Sequence, residues 1–209
     1  MTAMQFERLL RDLRACSEAT SWAQGKDLHE VWIACERGDW LLWLAGRMAG
    51  KPGWHTREQI VLAACACAET ALKYVKPGEE RPRIAIETAR KWARGEANIE
   101  DVRRAARDCY AAAYDAAAAY DAAAADAADA AYAAAYAVDA AAAAYVAAAY
   151  VDAAAAAYAA AAYVDAAAAA YAAYADKSAT ARAQALAECA AIVRRELPEP
   201  VLAETAVSE

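Results

Sequence analysis

The sequence predicts an all-α protein, a compact multi-helix array with a set of packed alanine-rich helices in its C-terminal half. Three observations support this class. Helix start and stop signals recur through the N-terminal half, the two-residue alternation of a strand is nearly absent, and residues 110–175 contain only Ala, Tyr, Asp and Val, with 44 alanines. Alanine has the highest helix propensity, and tyrosine and valine cost only about 0.5 kcal/mol each in a helix.

The first two helices are predicted from a stripe and from a cap. In MTAMQFERLLRDLR the apolar residues recur at the spacing of a core-facing helix: Phe6, Leu9, Leu10 and Leu13. The stretch DLHEVWIACERG opens with Asp27 and Glu30 in the relation of a capping box. We expect that helix to end at Gly38, since glycine often follows a helix C-terminus.

Two further helices follow in the N-terminal half. In GDWLLWLAG, Asp39 is predicted to be the N-cap of a helix that is apolar on most sides and therefore buried. The next helix is predicted to begin with a capping box of Thr56 and Gln59 and to continue to Pro77.

The run RPRIAIETARKWARG has the signals of a helix at both ends. Pro82 falls in the first turn and Gly95 just past the last one, which is the expected asymmetry. Asn98 is a suitable N-cap for the helix that follows.

The alanine-rich stretch has an internal repeat. Aspartates at 126, 139, 152 and 165 recur every 13 residues, which is about 3.6 helical turns, so in one straight helix each repeat would face a new direction. We therefore expect residues 110–175 to form at least three packed helices, with turns beside Asp139, Asp152 or Asp165. Tandem duplication of the gene without structural meaning is the alternative.

Composition limits the domain organisation and the possible partners. We expect one all-α domain over residues 1–197, with a Trp-rich half (1–97) and an Ala/Tyr/Asp-rich half (98–197), followed by a flexible tail over 198–209. The net charge of −7 gives no basic surface for nucleic acid. The N-terminus lacks a signal-peptide pattern, and the recurring aspartates disfavour a membrane span, so a cytoplasmic protein is expected.

The residues that usually carry catalysis or metal binding do not form an interpretable set. Cys65 and Cys67 would point about 200° apart on a helix, away from a shared metal, and six cysteines without framework spacing predict buried thiols. His29 and His55 have no nucleophile at an interpretable spacing. We therefore predict a non-enzymatic protein without metal or cofactor.

Two runs combine tryptophan with charge. Arg81 and Arg83 lie at a helix start, where the helix dipole disfavours cations, so they are expected to face a carboxylate or an anionic ligand. We predict that one of them pairs with Asp39, Glu87 or Glu96, near Trp40 and Trp92. The candidate partner- or ligand-binding residues are Asp39, Trp40, Arg81, Arg83, Glu87, Trp92 and Glu96.

These runs carry a resemblance to a known family. RGDWLLWLAGRM, AACACAETAL, RPRIAIETARKWARGE and the Ala-rich stretch ending in ECAAIVRREL resemble, in this order over roughly residues 15–197, the immunity-protein-five-like family of bacterial polymorphic toxin systems. The resemblance implies a cytosolic all-α protein that neutralises a toxin by binding it. The motif positions are Gly38, Asp39, Trp40, Arg81, Pro82, Arg83, Glu87, Trp92 and Glu96.

Two functional hypotheses therefore stand beside each other. An immunity protein would bind a cognate protein toxin, either through tryptophan anchors or through an acidic face formed by Asp115, Asp121, Asp126 and Asp129. A protein carried by a phage or mobile element would instead sequester a small anionic, nucleotide-like signal of host defence through Arg81 and Arg83. Ice binding is disfavoured, because the alanine-rich stretch has no regularly spaced threonine.

Overall fold

The computed structural model describes residues 1–70, 72, 77–118 and 179–202, and within these ranges the chain is helical, without strands. The predicted all-α class is confirmed. The helices are α1 (Ala3–Asp12), α2 (Ser17–Ala23), α3 (Leu28–Ala34), α4 (Gly38–Arg47), α5 (Arg57–Glu69), α6 (Arg81–Ala93), α7 (Ile99–Ala118) and α8 (Ala179–Glu196).

Local capping chemistry sets half of the helix starts in the described part of the chain. In a capping box the N-cap side chain accepts from a backbone N–H three residues on, and the residue there accepts from the N-cap backbone. Such boxes begin four of the described helices: Thr2 with Gln5 (α1), Asp27 with Glu30 (α3), Thr56 with Gln59 (α5) and Asn98 with Asp101 (α7). The boxes predicted for α3 and α5, and the cap at Asn98, are confirmed.

Two helices end earlier than the sequence predicts. Helix α3 ends at Ala34 rather than Gly38, because the backbone is extended at Cys35. Helix α5 ends at Glu69 rather than near Pro77, and the Thr70 hydroxyl donates to a carbonyl of the last turn. Helix α6 agrees with its prediction: Pro82 lies in its first turn, and Gly95 just past its end has a φ of +76°.

The start of α4 differs from the prediction. The helix begins at Gly38, and Arg37 takes the N-cap position, with extended backbone and no side-chain cap. Asp39 lies in the first turn, so the prediction that Asp39 is the N-cap is wrong. The physical reason is that the Asp39 carboxylate accepts from the Arg37 guanidinium instead of from the helix backbone.

Helix α5 is central to the packing. It contacts α4, α6 and α8, while α8 also packs on α4 and α7 packs on α6. A single cluster of buried residues extends from Phe6 in α1 to Leu197 just after α8. The last helix is therefore part of the same core as the first, although residues 119–178 separate it from α7 in the sequence.

A close helix crossing joins α8 to the start of α4. A Cβ atom on Gly38 would lie 2.7 Å from the backbone nitrogen of Ala190 and from the carbonyl carbon of Cys189. Only glycine lets the two backbones approach this closely. Next to the crossing, Nη1 of Arg194 donates to the carbonyl oxygen of Cys35 at 2.7 Å. The α3–α4 junction is thus held by the far end of the described sequence.

The segment after α8 also contacts the helical body. His55 Nε2 lies 2.7 Å from the Pro198 carbonyl oxygen, and His29 Nδ1 lies 2.7 Å from a carboxylate oxygen of Glu199. Leu202 packs against the core. These contacts differ from the predicted flexible tail, because residues 198–202 have partners that are distant in sequence. Residues 203–209 lie outside the described part of the chain.

The predictions for the alanine-rich stretch fall mostly beyond the described residues. Helix α7 continues to Ala118, so its backbone includes the first residues of the stretch. The proposed turns beside Asp139, Asp152 and Asp165 lie outside the described ranges, as does the alanine-rich set of packed helices.

Candidate functional site

A group of charged and aromatic side chains lies where α2, the loop after it and the start of α4 meet. We call it the cation–tryptophan cluster, and its members are Trp22, Lys26, Arg37, Asp39 and Trp40. Two of them, Asp39 and Trp40, are among the residues that the sequence singles out as binding candidates.

A bidentate ion pair between Arg37 and Asp39 forms the base of the cluster. Nε of Arg37 donates to Oδ1 of Asp39 at 2.9 Å, and Nη2 donates to Oδ2 at 2.6 Å. The Asp39 side chain is only 8% exposed, whereas that of Arg37 is 28% exposed. Nη1 of Arg37 reaches further out, to the exposed carboxylate of Glu18 at 3.2 Å. The guanidinium is therefore fixed in one orientation by both carboxylates.

The rings of Trp22 and Trp40 contact each other, and each of them also contacts a cation. The Arg37 guanidinium carbon lies 4.3 Å from the centroid of the Trp40 ring, and the Trp40 and Trp22 rings are 6.1 Å apart and tilted by 59°. Lys26 Nζ lies 4.6 Å from the Trp22 centroid and donates to the Trp22 carbonyl oxygen. Cation–π contacts of this kind contribute about 0.5–1 kcal/mol each at exposed sites.

Trp22 and Trp40 are neither fully buried nor fully exposed. Both pack against the core with one part and present another part to solvent, as does Trp43 one helical turn from Trp40. These three rings border a small apolar cavity of about 30 Å³. The site thus presents half-buried aromatic surface with a cation against each of two tryptophans.

The charged start of α6 forms a second, separate cluster. Nε of Arg81 donates to Oε1 of Glu79 at 2.8 Å, and Nη2 donates to Oε2 at 2.6 Å. Nε of Arg83 donates to Glu80 at 3.0 Å. The sequence correctly predicts that carboxylates face these cations, but the predicted partners are wrong, because Glu79 and Glu80 lie directly before the helix and reach the arginines locally.

The other candidates of the α6 run are spread along the helix. The Glu87 side chain is exposed, and Trp92 packs half-buried against the core. Glu96, after the helix end, pairs with Arg94 at 2.9 Å, and this hydrogen bond holds the pKa of the Glu96 carboxyl below its ordinary value. Asp39 and Trp40 lie on α4, which packs on α5 and α8, whereas α6 packs on α5 and α7. The candidates on α4 and those on α6 therefore belong to different clusters.

Sequence reasoning did not find Arg37, Trp22 and Lys26 as members of a site. Arg37 was visible in the run RGDW, two residues before Asp39, and an arginine next to a buried aspartate is a recognisable signal. No sequence signal pairs Trp22 with Trp40, because their contact depends on how α2 packs beside α4.

The cysteines and histidines have structural surroundings. Five of the six thiols are buried, as predicted, and Cys16 is exposed. Burial raises the pKa of Cys35 to about 11 and that of Cys65 and Cys109 to about 12, which keeps these thiols protonated and unreactive near neutral pH. Among the described residues, no group of three or more His, Cys, Asp or Glu side chains is arranged to hold a metal ion.

No family model, curated protein or solved structure matches this chain. The resemblance to the immunity-protein-five-like family therefore rests on the sequence runs alone and stays a prediction. Within the described ranges, no helix is both long and apolar enough to cross a membrane.

Proposed function

We propose that this chain is a cytoplasmic, non-enzymatic binding protein of the immunity type, which neutralises a protein toxin by binding it directly through the cation–tryptophan cluster. The observation that carries the proposal is the fixed row of Arg37, Trp40 and Trp22 at the surface. Tryptophan and arginine are the residue types most enriched among the side chains that dominate binding energy at protein interfaces.

Pre-organisation supports this choice of surface. Asp39 and Glu18 hold the Arg37 guanidinium, and Arg37 in turn lies against Trp40, so these side chains have little rotamer freedom left to lose when a partner binds. Ordering a mobile side chain costs about 0.5–1.5 kcal/mol in an interface, and a fixed row avoids most of that cost. The net charge of −7 argues against nucleic acid as the partner.

The alternative, sequestration of a small anionic ligand by Arg81 and Arg83, has less support. Each arginine already donates to a neighbouring glutamate, and an anion would have to compete with Glu79 and Glu80 for the same donors. The acidic face proposed from Asp115, Asp121, Asp126 and Asp129 lies outside the described side chains.

The test is rescue of cells that express the protein encoded by the neighbouring reading frame, together with the affinity of the purified pair. Wild-type chain should rescue growth, and Trp40→Ala should weaken binding about 30-fold, since a central tryptophan contributes roughly 2 kcal/mol or more.

Trp92→Ala is the matched control, because Trp92 is also a half-buried tryptophan packed against the core but lies on α6. It should lose a similar amount of stability and keep its affinity. Equal affinity for Trp40→Ala and wild type would contradict the proposed surface. Binding of a nucleotide that Arg81→Ala with Arg83→Ala abolishes, without any toxin binding, would favour the sequestration alternative.

A further inference from the structure

The sequence contains two histidines, and each contacts one of two neighbouring residues after α8. His29, in the first turn of α3, faces the Glu199 carboxylate, and His55, just before α5, faces the Pro198 carbonyl, each at 2.7 Å. A carbonyl and an ionised carboxylate can only accept, so the proton in each contact is on the histidine. Two histidines on different elements thus fasten one short segment.

Backbone packing adds a third attachment point to the segment. Gly53 has a φ of +79°, and a Cβ atom placed on it would collide with the carbonyl oxygen of Val201. On the side of α3, however, the segment does not pack closely against the helix. A cavity of about 400 Å³ lies between Leu28 and His29 on one side and Val201 and Leu202 on the other. Since this side lacks close packing, the polar contacts of the histidines carry much of the attachment.

We propose that residues 198–202 form a strap whose attachment to the helical body is controlled by pH through His29 and His55, being firmest when His29 is charged and His55 is neutral. The strap lies against Gly53, which precedes Trp54 and His55, so its release uncovers these two buried side chains just before α5.

The His29 contact is stronger when the ring is charged. The hydrogen bond and the charge of Glu199 raise the pKa of His29, with smaller contributions from Asp27 and Glu30 on its own helix. A raised pKa means that the folded state holds the proton more tightly. The contribution is therefore fully present below the ordinary pKa of 6.5 and decreases as the pH rises through the pKa of the folded state. Because the ring is exposed, this alkaline decrease should be shallow.

The His55 contact has the opposite sign. Burial lowers the pKa of His55, against a smaller upward effect of the Pro198 carbonyl. Within the described residues Nδ1 of this ring is buried without a hydrogen-bond partner, and the ring stacks on Trp32 with centroids 5.9 Å apart. Protonation at Nδ1 would place a charged N–H in that apolar setting. The contribution of His55 to the attachment is therefore fully present above pH 6.5 and is lost as the pH falls through the lowered pKa of His55.

The test follows a fluorescent reporter on the strap of the full chain. Val201 is 82% exposed, and among the six thiols Cys16 is the exposed one. We therefore suggest Val201→Cys with Cys16→Ser, labelled with the fluorophore bimane. A tryptophan indole quenches bimane at short range, and Trp54 directly follows Gly53, which the strap contacts. Quenching should be greatest near pH 6.5 and decline towards about pH 5 and, less steeply, towards about pH 9, while far-UV circular dichroism stays constant. Wild-type chain labelled at Cys16 corrects for any pH response of bimane itself.

Variants assign the two sides of the profile. His29→Gln and Glu199→Gln should each remove the alkaline decline and leave the acid decline, and combining them should add nothing further. His55→Gln should remove the acid decline. If that variant fails to fold, the acid decline in the otherwise unchanged labelled chain, at constant circular dichroism, still tests the proposal. A flat profile, loss of quenching only together with global unfolding, or an alkaline decline that survives His29→Gln would overturn it.

Discussion

The starts of α4 and α6 contain the same ion pair in two different settings. In each, an arginine donates through Nε and Nη2 to both oxygens of a carboxylate two residues away: Arg37 to Asp39, and Arg81 to Glu79. At α4 the acid lies inside the first turn, where the helix dipole favours it, and is 8% exposed. At α6 the cation lies inside the first turn, where the dipole disfavours it, and Glu79 is 23% exposed.

The difference shows that geometry alone does not decide what an ion pair does. At α6 the pair compensates an unfavourable charge at a helix start, and its energy is limited by exposure to water. At α4 the pair is covered by the protein and orients a guanidinium over Trp40. We expect the α4 pair to matter more for stability and for binding, and three predictions test this comparison.

The largest effect should come from Gly38→Ala, because the added methyl group would push the start of α4 away from α8. The added Cβ would lie 2.7 Å from the α8 backbone, so one of the helices must shift, and we expect a loss of about 3 kcal/mol in the free energy of unfolding. Gly25→Ala is the control. It has a φ of +75° but no atom within 4 Å of the added Cβ, so it should cost about 1 kcal/mol from backbone strain alone. Equal losses in urea titrations would show that the α4–α8 crossing adapts freely.

An intermediate effect is expected from breaking an ion pair at each of the two helix starts. Asp39→Ala removes a buried carboxylate and leaves the Arg37 guanidinium, whose side chain is 28% exposed, without this partner. The substitution should therefore cost about 2 kcal/mol. Glu80→Ala breaks the pair with Arg83, in which both side chains are more than half exposed, and should cost less than about 0.5 kcal/mol. Chemical denaturation of both variants measures the comparison, which fails if Glu80→Ala is as damaging as Asp39→Ala.

The smallest effect concerns pH at the α6 start. Hydrogen bonding to Arg81 lowers the pKa of Glu79 below its ordinary value of 4.5, so the folded state holds this proton less tightly than the unfolded state. The contribution of the pair is present above pH 4.5 and is lost as the pH falls through the lowered pKa. Glu79→Gln should therefore be about 0.5–1 kcal/mol less stable than wild type at neutral pH, with a difference that shrinks in acid. A constant difference between thermal unfolding curves at all pH values would rule out the charge as its cause.

The features that could be predicted from the sequence are those set by neighbouring residues. The capping boxes at Asp27 and Thr56, Pro82 in the first turn of α6 and Gly95 after its end depend on partners within four residues or on local backbone preferences, so the pattern is enough. Helix content follows for the same reason.

The features that could not be predicted depend on distant partners. Asp39 has the residue type and position of an N-cap, and its place inside the helix accompanies a local ion pair with Arg37 and the close crossing of α8, which comes from far along the chain. The strap has two prolines and follows the last helix, so its sequence looks like a tail, while the partner of its Glu199, His29, is 170 positions away. Of the candidate site, Asp39 and Trp40 were found, whereas the contact between Trp22 and Trp40 depends on how α2 packs beside α4.

The crossing of α8 over Gly38 has a consequence for how the chain folds during synthesis. The apolar faces of α4 and α5 are made early, but the helix that covers them is made only after the alanine-rich stretch. At roughly 5–20 residues per second, these faces stay uncovered for several seconds on the ribosome. Closing the core then requires a contact between residues 159 positions apart, as between Arg194 and Cys35, and contacts of such long range form slowly. The interval between the synthesis of α5 and that of α8 is therefore the stage at which this protein most needs a chaperone.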